Sequence, residues 1–279
     1  MKKHLILDAN NLLFRARYAA RRRPYENVII HTFFRSLKPI IEKFSPDYVY
    51  FVLDGQPKKR LALNEEYKGT RKYHNDDGFR EQRREIIRLV KESVPFMVLR
   101  HPETEADDVI AELALHTLDE GDEKIIVSSD TDFIQLLQTC KNSKLYNPVT
   151  KAYREAPDYP YVMWKALRGD SADNIKGIPG IGDKRAAALA TSDEKFEKFF
   201  QEKPTEVWET YSRNVEMILL SGLTPAERDG MEVSFAQNEM VVLLEAFTEL
   251  RFKSMISHKA WGNYSRPFAE LKDGTKYFT

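Results

Sequence analysis

The sequence predicts an α/β fold in which a parallel, twisted sheet is flanked by helices, and three observations carry that expectation. Short apolar runs rich in β-branched and aromatic residues, at 4–7, 48–53 and 124–127, read as buried parallel strands. Segments with helical periodicity lie between them. Each run also ends in aspartate: Asp8, Asp54, and Asp130 with Asp132. Ligands in open α/β sheets gather beyond the carboxyl ends of the strands, so these side chains are expected to converge on one crevice.

In chain order, 4–7 is the first strand, 28–43 a helix, 48–53 the second strand and 77–93 a further helix. Residues 95–99 make a candidate fourth strand. A helix over 105–118 follows, because Val109, Ile110, Leu113 and Ala114 recur at helical spacing, and 124–127 then returns to the sheet. From about residue 159 the chain turns to short helices punctuated by glycine and proline, then to acidic amphipathic segments through Phe252. The expected organisation is an α/β core over 1–158, a helical subregion over 159–256 packed on the sheet, and a polar, aromatic tail over 257–279 with no readable pattern.

The chain has 279 residues, 42% hydrophobic and 31% charged, enough for one large core or two modest ones and unlike a disordered or fibrous protein. No run approaches the roughly 18–20 apolar residues of a membrane helix, and the start Met1-Lys2-Lys3-His4 runs straight into a strand, so a soluble, cytoplasmic, membrane-free protein is expected. One cysteine, Cys140, permits no internal disulfide and no cysteine-based zinc site. Basic and acidic residues balance at 43 each, yet residues 1–100 carry 22 basic against 12 acidic and the remainder 21 against 31. That polarity suits a basic surface for a polyanion with acid concentrated elsewhere.

The acid is organised. Glu105, Asp107 and Asp108 open a helix, Asp130 and Asp132 close a strand, and Asp170 and Asp173 precede a turn. With Asp8 and Asp54 these make up to nine carboxylates at one site, a density that needs hard cations to offset the repulsion. Oxygen-only donors favour Mg²⁺ or Mn²⁺, and two such ions suit phosphodiester hydrolysis. Neither aspartate cluster continues into a 12-residue Ca²⁺ loop. As helix N-terminal acids, Asp107 and Asp108 would also complement the helix dipole, which leaves the other clusters unexplained.

The run Ile175-Lys176-Gly177-Ile178-Pro179-Gly180-Ile181-Gly182 turns tightly and opens a helix whose free N–H groups can take phosphate, with Lys184 and Arg185 in its first turn. It resembles the helix-hairpin-helix motif of sequence-independent duplex DNA binding, an ordinary αα turn being the alternative. The glycines follow no strand and no P-loop occurs, so no nucleotide cofactor is expected. Upstream, Tyr67-Lys68-Gly69-Thr70-Arg71-Lys72 leads into Arg80, Arg83, Arg84, Arg88 and Lys91, cations that suit a phosphate backbone. Tyr67, Tyr73 and Phe79 are candidates for stacking on unpaired bases.

The ordered set Asp8, Phe51-Val52-Leu53-Asp54-Gly55, Tyr67-Lys68-Gly69-Thr70-Arg71, Glu105-Ala106-Asp107-Asp108, Ser129-Asp130-Thr131-Asp132-Phe133 and Gly169-Asp170-Ser171-Ala172-Asp173-Asn174-Ile175 resembles the 5′ nuclease family. That family comprises flap endonucleases, bacteriophage 5′-to-3′ exonucleases and the N-terminal nuclease domain of bacterial DNA polymerase I. The resemblance covers about residues 4–190 and implies a PIN-like fold with a helical arch over 67–94 and a helix-3-turn-helix DNA-binding subregion. It implies that Asp8, Asp54, Glu105 and Asp107 hold one of two Mg²⁺ ions, that Asp130, Asp132 and Asp170 serve the other, and that Asp108 and Asp173 are auxiliary. Mn²⁺ would substitute. Lys68 would contact the scissile phosphate with Arg71 assisting, and Tyr67 would stack on the terminal base. Lys165, Lys184 and Arg185 would grip the duplex, with Arg80, Arg83 and Arg84 on the arch and Gly177, Gly180 and Gly182 shaping the hairpin.

The expected activity is hydrolysis of duplex DNA from a 5′ end, flap or RNA primer by a stand-alone, phage-type monomer, with a replicative polymerase or single-strand-binding protein as candidate partner. Three rivals remain. A binding-only protein would gain by losing acid near phosphate, a PIN-like RNA nuclease generally lacks the glycine hairpin, and a small-molecule phosphatase leaves hairpin and arch unexplained.

Overall fold

The structure, a computed structural model, describes residues 1–21, 25–70, 77–237 and 239–278. The first half alternates strand and helix: β1 (Lys3–Asp8), α1 (Ala9–Ala20), α2 (Val28–Phe44), β2 (Tyr48–Leu53), α3 (Lys58–Leu63), α4 (Asp77–Ser93), β3 (Met97–Arg100), α5 (Ala106–Glu112), β4 (Glu123–Val127), α6 (Ile134–Thr139), β5 (Ser143–Asn147) and β6 (Ala152–Arg154). The second half is mostly helical: α7 (Tyr161–Arg168), the small pair β7 (Gly169–Asp170) and β8 (Ile175–Lys176), α8 (Asp183–Ala190), α9 (Asp193–Gln201), α10 (Thr205–Ile218), α11 (Pro225–Asp229), β9 (Glu232–Phe235), α12 (Met240–Glu249), α13 (Lys253–Ile256) and α14 (His258–Ser265).

Seven strands form one sheet in the order β6-β5-β4-β1-β2-β3-β9. Its five inner strands are parallel, and β6 and β9 close the two edges antiparallel. The crossing from β1 to β2 on one side and to β4 on the other makes β1 the switch point, where side chains at strand C-termini face a common crevice. The expected run 95–99 is a strand, shifted to Met97–Arg100. The expected helix 105–118 divides, with α5 passing at Leu113 into a π-helical turn through Thr117.

Strand period decides which layer each residue enters. Leu5, Leu7, Val49, Phe51 and Val98 pack with α1, α2, α4 and α12 on one face. Ile6, Tyr50, Val52, Met97 and Leu99 pack with α5 on the other. A third apolar cluster, including Ala166, Leu167, Ile178, Ala186 and Tyr211, sits among α7, α8 and α10. Residues after 257, patternless in sequence, are built into the body: the Tyr264 hydroxyl donates to Phe34 O at 3.1 Å, Phe268 is fully buried, and Tyr277 lies edge-on to His4 and Tyr48. Among the described residues no helix is long and apolar enough to cross a membrane.

Candidate active site

Asp8 ends β1 and caps α1, accepting from Asn11 N at 3.0 Å and from Ser128 Oγ at 2.7 Å. Asp54 follows β2 and accepts from Ala106 N at 2.8 Å, the first residue of α5, and from the Asn10 amide. Glu105 precedes α5 and collects Arg60 at 3.0 Å, the Tyr67 hydroxyl at 3.0 Å and the Lys68 ammonium. Asp130 and Asp132 follow β4 in a turn in which Asp132 N donates to Asp130 Oδ1 at 2.9 Å. Asp170 and Asp173 flank the turn between β7 and β8, with Ala172 N on Asp170 Oδ1 at 2.9 Å.

These groups occupy two adjoining cavities. The larger, about 920 Å³, is lined by Asp8, Asp54, Glu105, Asp107 and Asp130 together with Tyr67 and Lys68. The smaller, about 520 Å³, is lined by Asp130, Asp132, Asp170, Asp173 and Lys165. Asp130 belongs to both. Eight of the nine expected carboxylates are therefore gathered, and Asp108 is not: Arg60 binds both of its oxygens, at 2.6 and 2.9 Å, beside a separate cavity under Leu223 and Thr224. Adjacent helical residues point about 100° apart, and here Asp107 turns into the larger cavity while Asp108 turns to Arg60.

Burial drives three carboxyl groups of the larger cavity upward, those of Asp8, Asp54 and Asp107. Asp8 reaches about 7, with Asp54 and Asp130 adding repulsion, and Asp54 and Asp107 rise as well. Asp132 is pushed to about 6 by burial, against the pull of Lys165. Glu105 and Asp170 end below the usual range despite burial, because Lys68 with Arg60, and Lys165, sit against them. Lys68 in turn is held at about 12, burial being outweighed by Glu105, Asp107 and Asp173. Buried acids raised chiefly by desolvation, with neighbouring carboxylates adding to the shift, fit a site completed by cations. Asp132, Asp170 and Asp173 each bring an oxygen to within 4.8 Å of the others, and among the described residues neither cavity is lined by histidine or cysteine, so the donors fit a hard divalent metal.

Lys68 is clamped in place. Its φ of +55° is rare for a side-chain-bearing residue, and its N–H donates to Asp173 O at 3.0 Å. Tyr67, expected to stack on a base, is instead 6% exposed, with its hydroxyl donating to Glu105 and, at 3.2 Å, to Asp173. Its ring is core and its hydroxyl ties the two carboxylate groups together. Lys165, expected on the duplex, is buried as well and pairs with Asp132 and Asp170. Arg71 lies outside the described residues, as does Tyr73 and with them part of the expected arch over 67–94.

On α4, Arg80 and Arg84 are exposed, while Arg83 is half-buried and donates to Asn10 Oδ1 at 3.1 Å. Lys184 and Arg185 are exposed in the first turn of α8, whose N-cap Gly182 brings no side-chain cap. Gly180 has φ +78° in open space, whereas a Cβ at Gly177 would lie 2.0 Å from Arg168 O. Gly177 is thus a packing glycine. Sequence reasoning missed Asn10, Asn11 and Arg60. The amides of Asn10 and Asn11 fix Asp54 and Ser129, and Arg60 carries its guanidinium into the core to Glu105, Asp108 and Met217 O.

A mostly parallel sheet that ends in two adjoining carboxylate cavities, one lined by Lys68 and the other by the buried Lys165, is the arrangement of a metal-dependent nuclease. The chain matches the family described as 5′-3′ exonuclease, N-terminal resolvase-like domain, over residues 3–160. It is 30% identical over 212 residues to a 5′-3′ exonuclease of Mycoplasmopsis pulmonis, covering 71% of this chain and 69% of that protein. It is 29% identical over 222 residues to DNA polymerase I of Caldicellulosiruptor bescii, covering 71% of this chain but only 25% of the polymerase. The fold superposes with a TM-score of 0.61 on the bacteriophage T5 flap endonuclease solved with DNA and metal ions, at 18% identity over 96% of this chain and 98% of that one. The chain belongs to the 5′-3′ exonuclease family.

Proposed function

We propose that the protein is a structure-specific 5′ nuclease, both 5′-to-3′ exonuclease and 5′ flap endonuclease, that hydrolyses phosphodiester bonds in duplex DNA bearing a 5′ end, flap or RNA primer. The observation that carries this reading is the pair of carboxylate cavities meeting at Asp130. Asp8, Asp54, Glu105 and Asp107 would hold one Mg²⁺, and Asp132, Asp170 and Asp173 a second, with Asp130 between them and Mn²⁺ able to substitute. Bound there, the ions supply Lewis acidity for attacking and leaving oxygens. Lys68 adds a fixed positive charge beside Glu105 and Asp173, placed to offset charge that develops on phosphate. Lys184 and Arg185, with the uncapped N-terminus of α8, and Arg80 and Arg84 on α4 offer phosphate contacts that position a duplex without reading its bases. The family match and the polymerase I relative support primer or flap removal as the setting.

The test is cleavage of a flapped duplex, labelled separately at its 5′ and 3′ ends, with Mg²⁺ and then with EDTA, read at nucleotide resolution. Cuts near the junction that EDTA abolishes are expected. Tight binding without any cut would overturn the reading in favour of a binding-only protein.

A further inference from the structure

Lys165 stands where a cation would stand. Its side chain is 4% exposed, and its ammonium touches Asp132 Oδ1 and lies 2.7 Å from Asp170 Oδ2. Those two carboxylates and that of Asp173 are the set whose oxygens come within 4.8 Å of one another. The larger cavity is different. Lys68 and Arg60 pair with Glu105, but among the described residues no lysine or arginine forms an ion pair with Asp8, Asp54 or Asp107. Among the described residues one carboxylate group thus carries its own counter-charge across two of its members, and the other leaves Asp8, Asp54 and Asp107 without a contact ion pair.

A buried carboxylate is strongly destabilising without a partner, and an ammonium on a four-carbon stem is a partner that can be withdrawn. We propose that Lys165 is the resident counter-ion of the smaller cavity: it neutralises Asp132 and Asp170 in the free protein and must be displaced before a divalent cation binds there. Lys165 is in this sense a positioning residue that grades the two metal positions, the unpaired acids filling first and the lysine-bridged ones only at higher cation concentration. The inference rests on the reading that these carboxylates take divalent cations.

The test is Mn²⁺ uptake by the full chain without DNA, at one fixed pH, followed by the electron paramagnetic resonance signal of free Mn²⁺. Two steps are expected, the second weaker by about tenfold or more. Lys165→Met should tighten the second step by about tenfold and leave the first unchanged, whereas Lys165→Arg, which keeps the charge, should leave the second step weak. A second step unmoved in Lys165→Met overturns the proposal. A measurement on the unaltered protein stands beside it: amine-reactive labelling of Lys165, read by mass spectrometry, should rise as Mn²⁺ saturates, and labelling that does not change overturns the proposal equally. If the unaltered protein takes up no Mn²⁺ at all, both this inference and the proposed function fall, whereas two equal steps defeat this inference alone.

Discussion

Asp107 and Asp108 are neighbours in the chain and face different cavities: Asp107 joins Asp8 and Asp130 in the larger cleft, while Arg60 holds both oxygens of Asp108. The two aspartates should separate cleanly in experiment. Asp107→Asn is expected to lower cleavage by about 100-fold or more with melting temperature retained, as loss of a transition-state contact does. Asp108→Ala leaves the buried Arg60 short of its bidentate partner and should lower unfolding free energy by about 3 kcal/mol in urea titration, with metal uptake preserved. Matching losses in both variants would contradict the division.

Lys68 is fixed by a left-handed backbone and an ion pair with Glu105, so its charge is preorganised. Lys68→Ala should slow single-turnover cleavage by about 100-fold or more while changing duplex binding in Ca²⁺ by less than about tenfold. A binding loss as large as the rate loss would assign Lys68 to grip instead of chemistry.

Two buried acids of the cavities make stability depend on pH in a definite direction. Asp8 titrates near 7 and Asp132 near 6 in the folded chain, against about 3.9 when unfolded. The folded state therefore binds more protons between about pH 4 and about pH 7, and unfolding free energy falls as pH rises through that window. In EDTA the melting temperature should be lower at about pH 8 than at about pH 5, and saturating Mg²⁺ should restore it most at the higher pH. A melting temperature in EDTA that rises over this interval would count against the raised carboxyl groups.

The hairpin glycines should behave unequally. Gly177→Ala would bring a Cβ to 2.0 Å from Arg168 O and is expected to lower stability by about 3 kcal/mol. At Gly182 nothing lies within 4 Å, so Gly182→Ala should stay within about 1 kcal/mol of the parent in the same denaturation assay.

Much of the site was legible because strand ends carry it. β1, β2 and β4 are apolar runs that finish in Asp8, Asp54 and the Asp130 turn, and the run itself tells where the carboxylate points. What was hidden depends on contacts across the chain. β6 and β9 are edge strands of three and four mostly exposed residues, too short for a periodic pattern to stand out. α1 went unnoticed because Asp8 was read as a strand end alone, although it is also the N-cap, with Leu12, Leu13, Ala16 and Ala20 at helical spacing behind it. Arg60 sits in a six-residue helix with nothing local to mark its burial; its partners come from distant chain, Glu105, Asp108 and, 157 residues later, Met217 O of α10. Tyr67 and Lys165 read as surface residues because aromatic and basic side chains in a nuclease-like pattern suggest substrate contact, whereas the acids themselves recruited both.

Helix α7 adjoins the smaller cavity on one side and the hairpin on the other. Lys165 reaches Asp132 and Asp170, while its neighbour Trp164 donates to Asp183 O at 3.1 Å and Arg168 pairs with Asp183 at 2.5 Å, fastening the start of α8. About one turn of α7 thus carries both the ammonium that reaches the acids and the two contacts that fasten the start of α8. Inserting one residue between Lys165 and Arg168 would turn these two side chains by about 100° and shift them by about 1.5 Å relative to each other. The spacing between the hairpin and the acids is then set by a rigid helix and not by a loop.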